Sequence, residues 1–217
     1  EWSAKLGIRA EFVRGLRKTD SETLEVACAV LSGLVNNRLV SNLENIGVNA
    51  IGLSGISSKL ILAKPVSDEL GLVGEIKGIN NSILIKLIEL GYVPVVSPLG
   101  FNIESNQMTH DGILNINADF VAGKIASSLK ASKIIYQTDV DGILDQMGRV
   151  IPRMTLKQAK ELLESGIIGG GMIPKLESCI KALENVEYGY ITNAYSDSLM
   201  KIFEGIEIGT QIHSLRK

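Results

Sequence analysis

An α/β fold is predicted, a three-layer αβα sandwich whose mostly parallel central sheet is covered by helices on both faces. Three features of the sequence predict it. Helix-period and strand-like segments alternate along most of the chain, and such alternation implies right-handed crossovers between parallel strands. The strand-like runs are short, apolar and rich in β-branched residues, as strands covered on both faces must be. A chain of 217 residues with 45% hydrophobic content can bury one core, either as a single domain or as two small lobes sharing a sheet.

The elements follow in order. Residues 21–47 carry apolar side chains at Leu24, Ala27, Leu31, Leu34 and Val35, the spacing of one helix face. Thr19 and Glu22 form a capping-box pattern before this helix, and Gly47 is a plausible stop. "NAIGLSG" (49–55) reads as a short buried strand running into a turn. Residues 58–78 break the rhythm and read as short strands or a hairpin on the rim. "INNSILIKLIELG" (79–91) is amphipathic and stops at Gly91, and "YVPVVSPLG" (92–100) is the next strand. Ala118, Val121, Ala122, Ile125 and Leu129 line one face of a further helix. "KIIYQT" (133–138) is a β-branched strand. "TLKQAKELLESG" (155–166) has a Thr155–Gln158 capping box and a stop at Gly166. "PKLESCIKALEN" (174–185) opens on Pro174, a favoured first helical residue. "YGYITN" (188–193) is the last clear strand before a short helix near 196–204. There are no repeats, no low-complexity tract and no interdomain linker.

Charge and composition exclude several classes. With 22 basic and 24 acidic residues and a net charge of -2, no clustered basic face marks a nucleic-acid binder. No run of 18 uncharged apolar residues offers a membrane span, and the opening "EWSAKLGIRAEF" has no apolar core of a signal peptide. Cys28 and Cys179 lack metal-ligand spacing and read as inert thiols in apolar helical patterns, which fits a reducing compartment. A cytoplasmic location is expected, with the plastid stroma as the alternative that an Ile-, Asn- and Lys-rich composition allows.

Ligands in open parallel sheets bind beyond the carboxyl ends of the strands, and four polar stretches lie at such places. In "NINAD" (115–119), Asn115 and Asn117 precede a helix and Asp119 falls in its first turn. Helix capping explains these types, and so does a site where an amide holds a ligand carboxylate or carbonyl and an acid orients a cation. "RGLRKTD" (14–20) sets three basic residues just before a helix N-terminus, either as a solvated loop or as a carboxylate anchor. "QTDVDGILD" (137–145) follows a strand with acids and a glycine, which suits a tight turn or a nucleotide. "GIIGGGMIPK" (166–175) combines three glycines with Lys175 at a helix start, where the dipole disfavours a cation unless an anion is bound. Neither GxxxxGK[ST] nor GxGxxG occurs.

Taken together, "GLR-TD" (15–20), "GLSG" (52–55), "LGLVGE" (70–75), "NINAD" (115–119), "TDVDGIL" (138–144) and "GGGMIPK" (169–175) resemble the acetylglutamate kinase family of the amino acid kinase superfamily. "IFEGIEIGTQI" (202–212) resembles the family's C-terminal end, so the likeness runs from residue 5 to Ile212. The resemblance implies the amino acid kinase fold over 1–217. Roughly 1–110 would form the amino-acid-substrate lobe and 111–217 the nucleotide lobe. It implies transfer of the ATP γ-phosphoryl group to the γ-carboxylate of N-acetyl-L-glutamate, the second step of arginine biosynthesis. Arg17 would bind the α-carboxylate, Asn115 would hold the N-acetylglutamate, and Lys175 would contact ATP phosphate and stabilise the transition state. Asp119 would orient the catalytic lysines. Asp139, Val140, Asp141, Gly142, Ile143 and Leu144, with Ile167, Ile168 and Gly169, would line the ATP site. Mg²⁺ would be carried by the nucleotide rather than by a protein metal site. A homo-oligomer, dimer or higher, is also implied.

The sequence departs from the family pattern in three places. The family's opening strand with a lysine and glycines, and a second glycine-rich turn, have no counterpart, so a chain starting at Glu1 is expected to be inactive or nearly so. "LSGISSKL" (53–60) lacks the usual lysine and acid after "SG", which affects acetyl recognition. Asp197 and Lys201 replace a His and a Glu of arginine-inhibited members, which argues against arginine feedback and leaves a PII-type signal protein as an alternative regulator. Two other readings stay open, a sibling kinase acting on an aminoadipate-type acid and a non-catalytic regulatory subunit of the same fold.

Overall fold

The computed structural model describes residues 2–5, 7, 11–13, 16–105, 112–195 and 197–213. The chain separates into two compact units, 1–121 and 122–217.

The first unit opens with a short helix, α1 (Trp2–Lys5), and a two-residue antiparallel ribbon, β1 (Phe12–Val13) with β2 (Leu16–Arg17). The long helix predicted over 21–47 forms in three stretches. These are α2 (Ser21–Ala27), a π-helical stretch (Cys28–Val35) and α3 (Asn36–Asn45). The wider i→i+5 turn rotates the apolar stripe. Leu24 is buried as expected, whereas Val35, counted on the same face, is 41% exposed. Asn36, the first α3 residue, is buried instead, and its Nδ2 donates to the carbonyls of Val95 (2.8 Å) and Leu53 (3.4 Å). Those carbonyls belong to β6 (Val93–Ser97) and β3 (Ala50–Ser54), which pair in parallel from Ala50–Val93 to Ser54–Ser97. Gly52 makes this bond possible, because a Cβ there would sit 2.1 Å from Asn36 Oδ1.

The rim segment 58–78 is a hairpin, as expected. Strand β4 (Ile61–Pro65) runs antiparallel to β5 (Gly74–Ile79). On its other side β4 pairs in parallel with β7 (Leu99–Asn102), which pairs antiparallel with β8 (Ile113–Asn115). Helix α4 (Ser82–Glu89) packs on β6. Leu60, Ile61, Leu84, Leu99 and Leu114 are fully buried in this unit.

Helix α5 (Ala118–Leu129) leads from the first unit into the second. Val121 is buried on it, but Ala122, placed on the same face by its spacing, is exposed. The second unit holds a four-stranded sheet in the order β10 (Arg153–Thr155), β12 (Thr210–His213), β11 (Tyr188–Asn193), β9 (Lys133–Thr138). Strands β9 and β11 are parallel, as are β10 and β12, while β11 and β12 run antiparallel. Helix α6 (Leu156–Glu164) carries both halves of the predicted capping box. Gln158 N–H donates to Thr155 Oγ1 and Thr155 N–H donates to Gln158 Oε1. Helix α7 (Met172–Ala182) begins two residues before Pro174, because the preceding glycines complete its first turn. A short α8 (Ser198–Phe203) precedes β12. Tyr136, Leu176, Cys179, Leu183, Ile191 and Ile212 build the core between sheet and helices. The predicted stops at Gly47, Gly91 and Gly166 adopt φ of 81°, 83° and 69°, a conformation that favours glycine.

Candidate active site

The predicted substrate residues lie at strand ends in the first unit. Asn115 is the last residue of β8, not a helix cap, and its N–H donates to the Leu72 carbonyl at 2.9 Å. Its side-chain Nδ2 donates to Thr19 Oγ1 at 3.1 Å. Thr19 is fully buried and stitched to the hairpin rim, with its N–H donating to Leu70 O (3.1 Å) and its carbonyl accepting from Leu72 N–H (2.7 Å). Three of the separate motifs therefore meet at one place: "GLR-TD" through Thr19, "LGLVGE" through Leu70 and Leu72, and "NINAD" through Asn115.

Thr19 and Glu22 do not form the expected capping box. The cap of α2 is Asp20, whose Oδ1 accepts from Thr23 N–H at 2.8 Å. Hydrogen bonds from the Thr23 hydroxyl and then its N–H hold the Asp20 carboxyl below the usual carboxylate range. Arg17 lies in β2, its backbone paired opposite Phe12 and two residues before Thr19. Asn117 caps the next helix, accepting at Oδ1 from the N–H groups of Asp119 (2.9 Å) and Phe120 (3.3 Å). Asp119 stands half-buried in the first turn of α5. In "LSGISSKL", Ser58 and Lys59 both have φ of 52°, and Ser58 O accepts from Asn80 Nδ2 at 3.1 Å. This left-handed pair is uncommon for residues with a Cβ and marks a loop shaped by its surroundings.

The predicted nucleotide residues lie in the second unit. The segment 139–144 leaves the carboxyl end of β9. Asp139, Val140, Asp141 and Leu144 are exposed along it, while Gly142 and Ile143 are buried. Ile143 anchors the segment: its side chain joins the core and its carbonyl accepts from Ile151 N–H at 2.8 Å. Ile167 and Gly169 are exposed and Ile168 is half-buried ahead of α7. Lys175 is the fourth residue of α7, in the first helical turn, and is half-buried. No side chain caps this helix at Gly171. Among the described residues, no three of His, Cys, Asp and Glu gather as a metal-binding group.

Thr19, read from the sequence as a helix cap, instead supports Asn115, and three residues no motif marked, Asn193, Ser198 and Thr210, lie behind the segment 139–144. Asn193 ends β11 and Thr210 begins β12. The rule that ligands lie beyond strand ends would have pointed to Asn193. Asp197 and Lys201, expected from the resemblance to replace a His and a Glu, form an ion pair of 2.6 Å. The Lys201 hydrogen bond lowers the Asp197 carboxyl from its ordinary value.

The chain belongs to the amino acid kinase family, whose profile matches residues 1–193. Within it, the chain groups with the acetylglutamate kinases. It is 40% identical to acetylglutamate kinase of Methanococcus maripaludis (strain C5), over 96% of this chain and 74% of that one. It is 44% identical to the acetylglutamate kinase of Caldanaerobacter subterraneus subsp. tengcongensis, over 96% and 70%. A crystal structure of smu.665 from Streptococcus mutans UA159 superposes with a TM-score of 0.82 at 27% identity, covering 98% of this chain and 80% of that one. No described helix is long and apolar enough to cross a membrane.

Proposed function

We propose that this chain phosphorylates the γ-carboxylate of N-acetyl-L-glutamate with ATP, the second step of arginine biosynthesis. The observation that carries this reading is the identity of 40% or more with acetylglutamate kinases over almost the whole chain. The placement of the motif residues supports it. In this reading Arg17 and Asn115, in the first unit, bind the amino acid, and the nucleotide segments with Lys175, in the second, bind ATP.

The chemistry suits this inventory. A γ-carboxylate oxygen attacks the γ-phosphorus of ATP, the bond to the β-phosphate oxygen breaks, and ADP leaves with an acyl phosphate formed. A carboxylate is already an anion, so no side chain needs to remove a proton, and catalysis rests on positioning and charge stabilisation. Lys175 supplies positive charge to the transferring phosphoryl group, and Asp119 holds the cationic groups in place. Asp139, Asp141 and Gly142 present the loop edge to the nucleotide. Val140, Leu144 and Ile167 present apolar surface to the base, with Ile143, Ile168 and Gly169 shaping the segments. Mg²⁺ would travel on the nucleotide phosphates and neutralise charge there. The protein would work in the cytoplasm as a homo-oligomer, with a PII-type protein as a candidate regulator.

The test is ATP-dependent formation of acyl phosphate, trapped with hydroxylamine, using the protein with its native N-terminus. Wild type and Lys175→Ala are compared, with N-acetylglutamate, glutamate and aminoadipate as acceptors. Turnover on N-acetylglutamate that falls roughly 10²-fold or more in the variant is expected, the size found when one preorganised electrostatic group is removed. Turnover on aminoadipate instead, or none on any acceptor by a folded protein that binds ATP, would overturn the reading.

A further inference from the structure

The segment 139–144 is held from behind by two buried side chains. Asn193 is 8% exposed and sits opposite Thr138 in the parallel β9–β11 pair. Its Oδ1 accepts from the Ser198 hydroxyl, itself fully buried, and from Tyr195 N–H at 3.3 Å. With that oxygen committed to two donors, only Nδ2 can face the loop, and it donates to Asp141 Oδ1 at 2.6 Å. Turning the amide over would set its oxygen against a carboxylate and its NH₂ against the Tyr195 N–H, so one orientation is selected.

Two residues further on, Ile143 N–H donates to Thr210 Oγ1 at 2.8 Å, and Thr210 is also fully buried. Gly142 lies between the two anchors. A Cβ there would come within 2.8 Å of Thr210 Oγ1, 2.9 Å of Val150 Cγ1 and 3.1 Å of Thr210 N, so only glycine brings the loop this close. Asp139, Val140, Asp141 and Leu144 stay exposed along the segment.

We propose that Asn193 is a positioning residue for nucleotide binding: oriented by Ser198, it fixes the Asp141 carboxylate, while Thr210 fixes the following turn. The inference rests on the reading of 139–144 as part of the ATP site. Its physical basis is preorganisation. A loop already held in its binding geometry loses little conformational freedom when the ligand arrives. The hydrogen bond to Asp141 is charge-assisted, which makes it one of the stronger kinds.

The experiment is a double-mutant cycle on the full chain, read by fluorescence titration with an N-methylanthraniloyl-labelled ADP in the presence of MgCl₂. The variants are Asn193→Ala, Asp141→Ala and the double variant, each checked for folding by circular dichroism and thermal melting. Asn193→Ala is expected to weaken binding roughly tenfold, the size of a lost charge-assisted bond. In the Asp141→Ala background the same change should cost less than about twofold, because a residue acting through Asp141 has nothing left to act on. A purely structural role would give the same loss in both backgrounds. Ser198→Ala, which keeps Asn193 but frees its amide, should weaken binding by an intermediate factor and serves if Asn193→Ala does not fold. Weak binding in Asp141→Ala with an additive or absent Asn193 effect would overturn the proposal and leave the nucleotide reading standing. Unchanged binding in Asp141→Ala would overturn that reading and the proposal with it.

Discussion

Thr19→Val tests the substrate half of the site most directly. Thr19 is fully buried, and its backbone bonds to Leu70 and Leu72 do not depend on the side chain. Valine keeps the branched shape and removes the hydroxyl that accepts from Asn115 Nδ2 at 3.1 Å. Asn115 keeps its backbone bond to Leu72, so β8 stays in register while the amide loses its bond to Thr19. A neutral hydrogen bond contributes about 0.5–1.5 kcal/mol net. At about 1.4 kcal/mol per factor of ten, that corresponds to roughly two- to tenfold in affinity. The expected result is a KM for N-acetylglutamate raised by about that factor, with the KM for ATP unchanged and kcat nearly so. Steady-state kinetics on the protein with its native N-terminus, or calorimetric titration with N-acetylglutamate, measures it. Asn115→Ala is the companion and should weaken the amino acid more strongly. A Thr19→Val enzyme with a wild-type KM for N-acetylglutamate, beside an Asn115→Ala enzyme with a large defect, would refute the reasoning that Thr19 aims the amide.

Two further predictions concern stability and reactivity. Asp20→Ala removes the cap of α2 and should cost about 0.5–2 kcal/mol in urea unfolding at neutral pH. Since the folded-state carboxyl is held below its ordinary value, this stabilisation is present above about pH 4 and is lost as pH falls further, so wild type and variant should converge in acid. Cys179 is fully buried and burial pushes its thiol up to about 12, so a thiol reagent at pH 8 should leave it unlabelled until the protein unfolds. Labelling of Cys179 in the native state, read by mass spectrometry of peptides, would show that the α7–β11 core opens far more readily than its packing implies.

The elements and the outward-facing candidates were readable because they follow local rules. The strands 133–138 and 188–193 and the Thr155 capping box came straight from β-branching and spacing. The glycine stops at 47, 91 and 166 were legible for the same reason, since a positive φ selects glycine wherever it is needed. What failed depended on the third dimension. Val35 was placed inward by a 3.6-residue period that the π-helical stretch interrupts, and no residue type announces that stretch. Thr19 looked like half of a capping box because it lies three residues before Glu22. Its hydroxyl instead meets a residue 96 positions away.

The misreadings and the omissions share a cause. Asn115 ends β8 and Asp141 lies in the segment that follows β9, places the strand-end rule points to, but each is held by a buried polar residue distant in sequence. Thr19 does this in the first unit, and Asn193, with Ser198 behind it, does it in the second. Threonine, serine and asparagine are common in turns and caps, so a sequence gives no reason to think them buried. Their burial is informative because an unpaired polar group in a core is costly, and each must be satisfied by a specific partner. In a reaction where the nucleophile is already charged and no proton has to be moved, rate depends on how well the ligands are held. Selection on such an enzyme would therefore act on the residues that aim the binding groups as well as on the groups that touch substrate. Substitutions at Thr19 and Asn193 should then appear mainly in ligand affinity, with smaller effects on kcat than Lys175→Ala.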